Sequence, residues 1–303
     1  MEQRRTKRPM NRRAFIALAG AASLCPGVLV GTIGAQPAIA KGSLLAAPLE
    51  LGGDWGQSRT EAVTRVLLRV RETCLSGLSL PSDRQPARLR VDNHTNGPPA
   101  IWLHDDPPDR AWIIVNIGPF DWCKLAYQFG HELGHVLCNS WQRSAKPRPP
   151  SQWLEEALVE AFSIRGLGLL ATSWEKDPPF SGNAGFAASI RQYRADLMQK
   201  YMAGMDQRSP ENVRQWFRER RPGLENGSNM PAGQMVLAVL DLYESERAAG
   251  DGSCVEDLGA LNRWPERSGL PIDKYLDMWA ASCAQIGAPG RAPKRIRAFL
   301  QVD

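Results

Sequence analysis

Two histidines four residues apart constrain this 303-residue chain more than any other feature: His131-Glu132-Leu133-Gly134-His135. Four residues of α-helix advance about 400° and rise about 6 Å, so in a helix both imidazoles stand on one face, one above the other. The flanking residues predict that helix. Leu125, Ala126, Phe129, Leu133, Val136 and Leu137 recur at helical spacing, Gly118-Pro119 ends the extended run before it, and Asp121 is placed to cap a helix reaching about Asn139. Imidazoles stacked in this way can share one metal ion. Glu132, next to the first of them, is placed so that its carboxylate reaches a water held by that ion.

A polar, proline-rich connection from Ser140 to Pro150 leads to a second helix from about Ser151 to Ile164, closed by Gly166 and Gly168. It carries Trp153-Leu154-Glu155-Glu156-Ala157-Leu158-Val159-Glu160-Ala161, with 20 residues between His135 and Glu156. The H-E-x-x-H pentapeptide followed by Glu in a W-x-x-E-(G/A) setting resembles the gluzincin metallopeptidases, over roughly residues 111 to 162. The resemblance implies Zn2+ held by His131, His135 and Glu156, Glu132 as general base, and a zincin-like fold. Zinc in such a site lowers the pKa of a bound water to about 7. Glu160 matches the acidic residue that orients the first metal histidine, whose second ring nitrogen needs an acceptor. Adjacent helical residues point about 100° apart. Glu156, which shares a face with Trp153, Ala157 and Glu160, is therefore expected to face the histidines, and Glu155, which lies with Val159 and Phe162, to turn away.

Around these helices the expected fold is α+β. Residues 59 to 78 carry Val63, Val66, Leu67, Val70 and Leu75 at helical spacing. Three extended segments, 87 to 91, 100 to 104 and 111 to 117, read as a small antiparallel sheet after a glycine-rich stretch at Gly52 to Gly56. Ala111 to Ile117 is the expected sheet edge on which an extended peptide substrate pairs by its backbone. From residue 173 onward the pattern is helical: 184 to 203, 210 to 220, 230 to 248, 254 to 263, 271 to 285 and 293 to 300. A hydrolase of this kind also needs a donor for the developing oxyanion. No histidine follows His135, which leaves Tyr193, Tyr201 and His104 as candidates.

Residues 1 to 40 have secretory signal anatomy: a basic start, Asn11-Arg12-Arg13-Ala14-Phe15-Ile16 resembling a twin-arginine export motif, a weakly apolar run, and Ala38-Ile39-Ala40 before an expected cleavage. Arg4, Arg5, Lys7, Arg8, Arg12 and Arg13 against Glu2 account for the whole net charge of +5. The segment 41 to 303 is thus formally neutral and gives no electrostatic basis for a nucleic-acid partner. It reads as one catalytic domain, with 41 to 172 holding the sheet and metal helices and 173 to 303 the helical part. The expected protein is periplasmic or secreted, meets a membrane only through its signal peptide, and acts on a peptide or protein. The rival class is a non-catalytic, zinc-stabilised cell-envelope binding protein. Five cysteines lie beyond the leader; Cys254 and Cys283 are a candidate disulfide, whereas Cys123 and Cys138 on one helix are too far apart to pair.

Overall fold

In the computed structural model, which describes residues 43–302 other than 80–81, 95, 203–208, 228–232 and 246–253, a short helix α1 (Ser43–Ala46) leads into strand β1 (Leu49–Gly53). The leader lies outside the described residues. Helix α2 (Thr60–Cys74) connects β1 to β2 (Arg88–Asn93), and β3 (Ala100–Ile101) and β4 (Arg110–Val115) complete a four-stranded sheet ordered β1-β2-β4-β3. β1 pairs with β2 and β2 with β4 in parallel; only β3 and β4 are antiparallel. The sheet is therefore mixed, not antiparallel as the sequence suggested. An α-helix between two strands is the connection that parallel pairing requires, and the glycines at 52 and 53 had hidden β1.

The same topology corrects the position of the sheet edge. β4 is an interior strand, flanked by β2 on one side and on the other by β3, with the Trp102 amide donating to the Trp112 carbonyl (2.8 Å). The edge beside it is β3. Alternate residues of β2 and β4 bury one face: Leu89, Val91, Ala111, Ile113 and Val115 join Val66, Leu67 and Val70 of α2 in the core. At about 1.5–3 kcal/mol per fully buried aliphatic side chain, this face holds the helices to the sheet. The outer face carries Arg88, Arg90, Arg110 and Trp112, with the arginines paired to Asp109, Asp92 and Glu50.

Helix α3 (Trp122–Leu137) holds both histidines, and α4 (Gln152–Lys176) holds the acids. Asp121 occupies the N-cap position of α3, but its side chain makes no capping bond. α4 does not stop at Gly166 and Gly168; it runs on to Lys176. Those glycines permit contact instead of ending the helix. A Cβ on Gly166 would collide with Cys74 Sγ, and one on Gly168 would lie 3.3 Å from Arg194 Nε of α5 (Phe186–Met202). Buried residues surround α4 on all sides because α2, α3, α5 and α7 (Met235–Ser245) pack against it, as befits a helix apolar all round.

The remaining part is helical: α5 (Phe186–Met202), α6 (Pro210–Glu225), α7 (Met235–Ser245), a 3-10 segment Cys254–Ala260, α8 (Ile272–Ile286) and α9 (Arg291–Leu300). Buried Asp257 caps α9 from outside the helix, accepting from the Gly290 and Ala292 amides at 2.7 Å each. All five cysteines of the described residues are free thiols. Cys283 is hydrogen-bonded to Asp257 instead of bridging to Cys254. Trp153, Trp174 and Trp141 are buried, whereas Trp112 and Trp122 are half-buried.

Candidate metal centre

The approach of α3 to α4 sets the geometry of the site. A Cβ on Gly134, inside the pentapeptide, would sit 2.9 Å from Val159 Cβ, and one on Gly130 3.0 Å from Ser163 Oγ. With only hydrogen at both positions, the two helices pack face to face. Ser163 Oγ then donates to the Tyr127 carbonyl (2.7 Å). The acids of α4 are carried to the histidines of α3.

His131 Nε2 and His135 Nε2 converge on one carboxylate oxygen, Glu156 Oε2, at 3.5 and 3.6 Å. The three ligand atoms all lie within 4.8 Å of one another. In a tetrahedral site with donors about 2.0–2.2 Å from the ion, neighbouring donors stand roughly 3.4 Å apart. The observed spacing therefore fits a single ion between them. Each of the three side chains keeps some solvent exposure, 20% for His131, 13% for His135 and 29% for Glu156. The cluster is reachable from outside, as a site with an open coordination position must be.

The other nitrogen of each ring is held by a buried carboxylate. His131 Nδ1 meets Glu160 Oε2 at 2.8 Å, the role expected for Glu160. His135 Nδ1 meets Glu155 Oε1, also at 2.8 Å. Glu155 was expected to turn away, and here the structure corrects the sequence. Residues 100° apart on α4 both reach the histidines, because Glu156 addresses the Nε2 side and Glu155 the Nδ1 side. Fixing Nδ1 in this way turns each Nε2 toward Glu156.

Glu160 is braced further. Its Oε1 accepts from the hydroxyls of Tyr127 (2.7 Å) and Tyr201 (2.8 Å). Tyr127 lies four residues before His131 on the same helix face, a spacing that could have singled it out. Tyr201 is thus brought to the site, with its hydroxyl committed to Glu160. Tyr193 contributes a ring against Tyr127, centroids 6.0 Å apart. His104 lies edge-on to Trp112 (5.6 Å), on the sheet face opposite the buried Ala111 and Ile113. Neither of the last two is brought to His131, His135 or Glu156 among the described residues.

No family model matches the chain, and no curated protein or solved structure shows significant similarity to it. The site is therefore read from its own chemistry. Burial lowers the pKa of His131, but hydrogen bonds to Glu156 and Glu160 and the charge of Glu132 outweigh it and raise the value to about 10. His135 is likewise raised well above its usual range against burial, by Glu156 and Glu155. Burial pushes Glu156 and Glu160 up, and the imidazoliums override this and hold both below the usual carboxylate range. Glu132, 4% exposed, goes the other way: burial raises its pKa despite the two imidazoles. Four carboxylates thus surround two imidazoles. This excess of negative charge favours a divalent cation over protons alone.

Proposed function

We propose that the chain is an exported zinc-dependent hydrolase, a metallopeptidase of the gluzincin type, acting on peptide or protein substrates. One observation carries the reading: His131, His135 and Glu156 converge within 4.8 Å, and each imidazole is backed by its own buried carboxylate. Two imidazoles and a carboxylate are a donor set suited to zinc, and three protein ligands leave a position for water or substrate. Zinc bound there would supply a polarised, readily deprotonated water and a Lewis acid for a carbonyl oxygen. Glu132 would take the proton from that water and return it to the leaving amine; a buried carboxylate with a raised pKa is suited to both steps. Tyr127 and Tyr201 would keep Glu160 ionised and aimed at His131. An extended substrate would pair with the free side of β3, not with interior β4.

The exported location rests on the leader sequence. No helix among the described residues is long and apolar enough to cross a membrane. Glu132 favours the enzyme over a zinc-stabilised binding protein, since a structural site has no use for a buried carboxylate beside the metal. The deciding experiment measures metal content and peptide-library cleavage for wild type and Glu132→Gln side by side. The expected result is one zinc per chain in both and hydrolysis only in wild type. Equal turnover in the two would refute the mechanism, and absence of zinc from both would refute the metal site.

A further inference from the structure

The carboxylate behind His135 is itself held by a residue more than a hundred positions away. Glu155 Oε2 accepts from Asn262 Nδ2 at 2.7 Å. The same amide nitrogen lies 3.2 Å from the Cys138 carbonyl and 3.1 Å from Ser140 Oγ, just past the end of the metal helix. Asn262 Oδ1 accepts from the Tyr275 hydroxyl of α8 at 3.2 Å, which fixes which end of the amide faces Glu155. Asn262 is 1% exposed and has φ +57°, a left-handed conformation that asparagine tolerates better than most residues.

A second asparagine makes the connection reciprocal. Asn139, also left-handed at φ +62°, donates from Nδ2 to the carbonyls of Gly259 (3.0 Å) and Leu261 (2.8 Å). Asn139 therefore ties the end of α3 to the segment before Asn262, and Asn262 ties that segment back to the end of α3 and to Glu155. Only the second of these ties reaches a metal histidine. Asn139 holds backbone carbonyls through Nδ2 and accepts from Ser82 Oγ (2.7 Å) through Oδ1, with no bond to Glu155 among these.

We propose that Asn262 is a positioning residue for the metal centre: by fixing Glu155, its amide sets the orientation of His135, so that the C-terminal helical part takes part in metal binding. This rests on the metal reading above and assigns a role to a residue outside the two metal helices. A buried acceptor oxygen left without its donor is free to rotate, and the imidazole it orients rotates with it.

The test is titration with Zn2+ alone, by chelator competition, together with the electronic spectrum of the Co2+-substituted protein and thermal unfolding of the protein stripped of metal. Asn262→Gly keeps the left-handed backbone and removes the amide. It should weaken zinc binding by about 10- to 100-fold and alter the Co2+ spectrum. Asn139→Gly should lower the unfolding temperature and change zinc affinity by less than about threefold, because it breaks the clasp without touching Glu155. In a Glu155→Gln background the further effect of Asn262→Gly should largely vanish, since the two act through one bond. Should Asn262→Gly not fold, Tyr275→Phe keeps the ring and removes the hydroxyl, with an expected several-fold loss of affinity.

Equal losses for Asn262→Gly and Asn139→Gly, full additivity with Glu155→Gln, or unchanged affinity in a folded Asn262→Gly or Tyr275→Phe protein would overturn the role of Asn262 while leaving the metal site intact. A wild-type chain that binds no zinc would remove both.

Discussion

The two histidines of the candidate metal centre are held by the same chemistry from different parts of the chain. At His131 everything is near in sequence: Glu160 is 29 residues away, and Tyr127 and Tyr201, 33 and 41 residues from Glu160, come from α3 itself and from α5. At His135 the carboxylate is again close, 20 residues on, but its support comes from Asn262, 107 residues beyond Glu155. The His131 end can form once α3, α4 and α5 have packed. The His135 end is complete only when the segment after the 3-10 turn has docked against the end of α3. A metal placed between them reports on both events together.

The variant that should ignore the asymmetry is Glu156→Ala, because Glu156 Oε2 stands almost equally far from both Nε2 atoms, 3.5 and 3.6 Å. It should lose more zinc affinity than any variant behind the histidines, well beyond the roughly 10- to 100-fold expected for an outer partner. Isothermal titration with Zn2+ measures this. Retention of tight binding would mean that another carboxylate completes the site.

Glu155→Ala and Glu160→Ala sharpen the comparison directly. Each should cost about 10- to 100-fold in zinc affinity, and Glu155→Ala the more of the two, since it also leaves the Asn262 amide without its charged acceptor in a site 1% exposed. Glu160→Ala leaves two half-buried tyrosine hydroxyls that water can reach. A Glu155→Ala protein with wild-type affinity would reduce the His135 end to a packing contact.

What the sequence disclosed follows the same division. The spacing of His131, Glu132 and His135, and of Glu156 and Glu160 one turn apart, encodes faces of helices, and helical periodicity is local. Glu155 was misjudged because a face argument asks which way a side chain points and not which of a ring's two nitrogens it meets. Gly166 and Gly168 read as a helix end, but the Cys74 and Arg194 side chains that require small residues there lie on other elements. The parallel pairing of β1 with β2 was concealed by the glycines of β1, although helix α2 between them carried the signal. Nothing around Asn262 marks it, because its partners are fixed only by tertiary packing.

Acidity gives a third test. In protein stripped of metal, His131 titrates at about 10 and His135 well above its usual value, so both carry protons at neutral pH. Zinc binding at the proposed site would have to displace them. Zinc affinity should therefore rise by up to about 100-fold per pH unit below these values, with close to two protons released per ion in calorimetry in buffers of different ionisation enthalpy. For the stripped protein itself the signs run in opposite directions. The raised His131 contributes stability that is full below about pH 6.5 and is lost as pH rises through about 10. The depressed Glu156 and Glu160 contribute stability that is full above about pH 4.5 and is lost as pH falls through their lowered values. Stability of the stripped protein should peak between those limits. Release of fewer than one proton would show that the imidazoles are neutral before zinc arrives.

The smallest effect is expected from Tyr201→Phe, and it bears on what the His131 end is for. Tyr201 is one of two hydroxyls on Glu160 Oε1, at 2.8 Å beside Tyr127 at 2.7 Å. Removing it leaves Glu160 with its bond to His131 and one tyrosine donor. A single hydrogen bond to a charged group contributes about 1.5–3 kcal/mol, and the remaining donor and water entering a half-buried position offset much of that. Zinc affinity should fall by only about two- to tenfold, with turnover following occupancy of the site. The alternative is that the Tyr201 hydroxyl leaves Glu160 when substrate binds and donates to the developing oxyanion. Loss of such a donor costs about 10²–10³ in kcat. Measuring kcat at saturating zinc separates the two: an unchanged value leaves Tyr201 as a brace for Glu160, and a hundredfold fall with zinc affinity intact gives it a direct part in the chemistry.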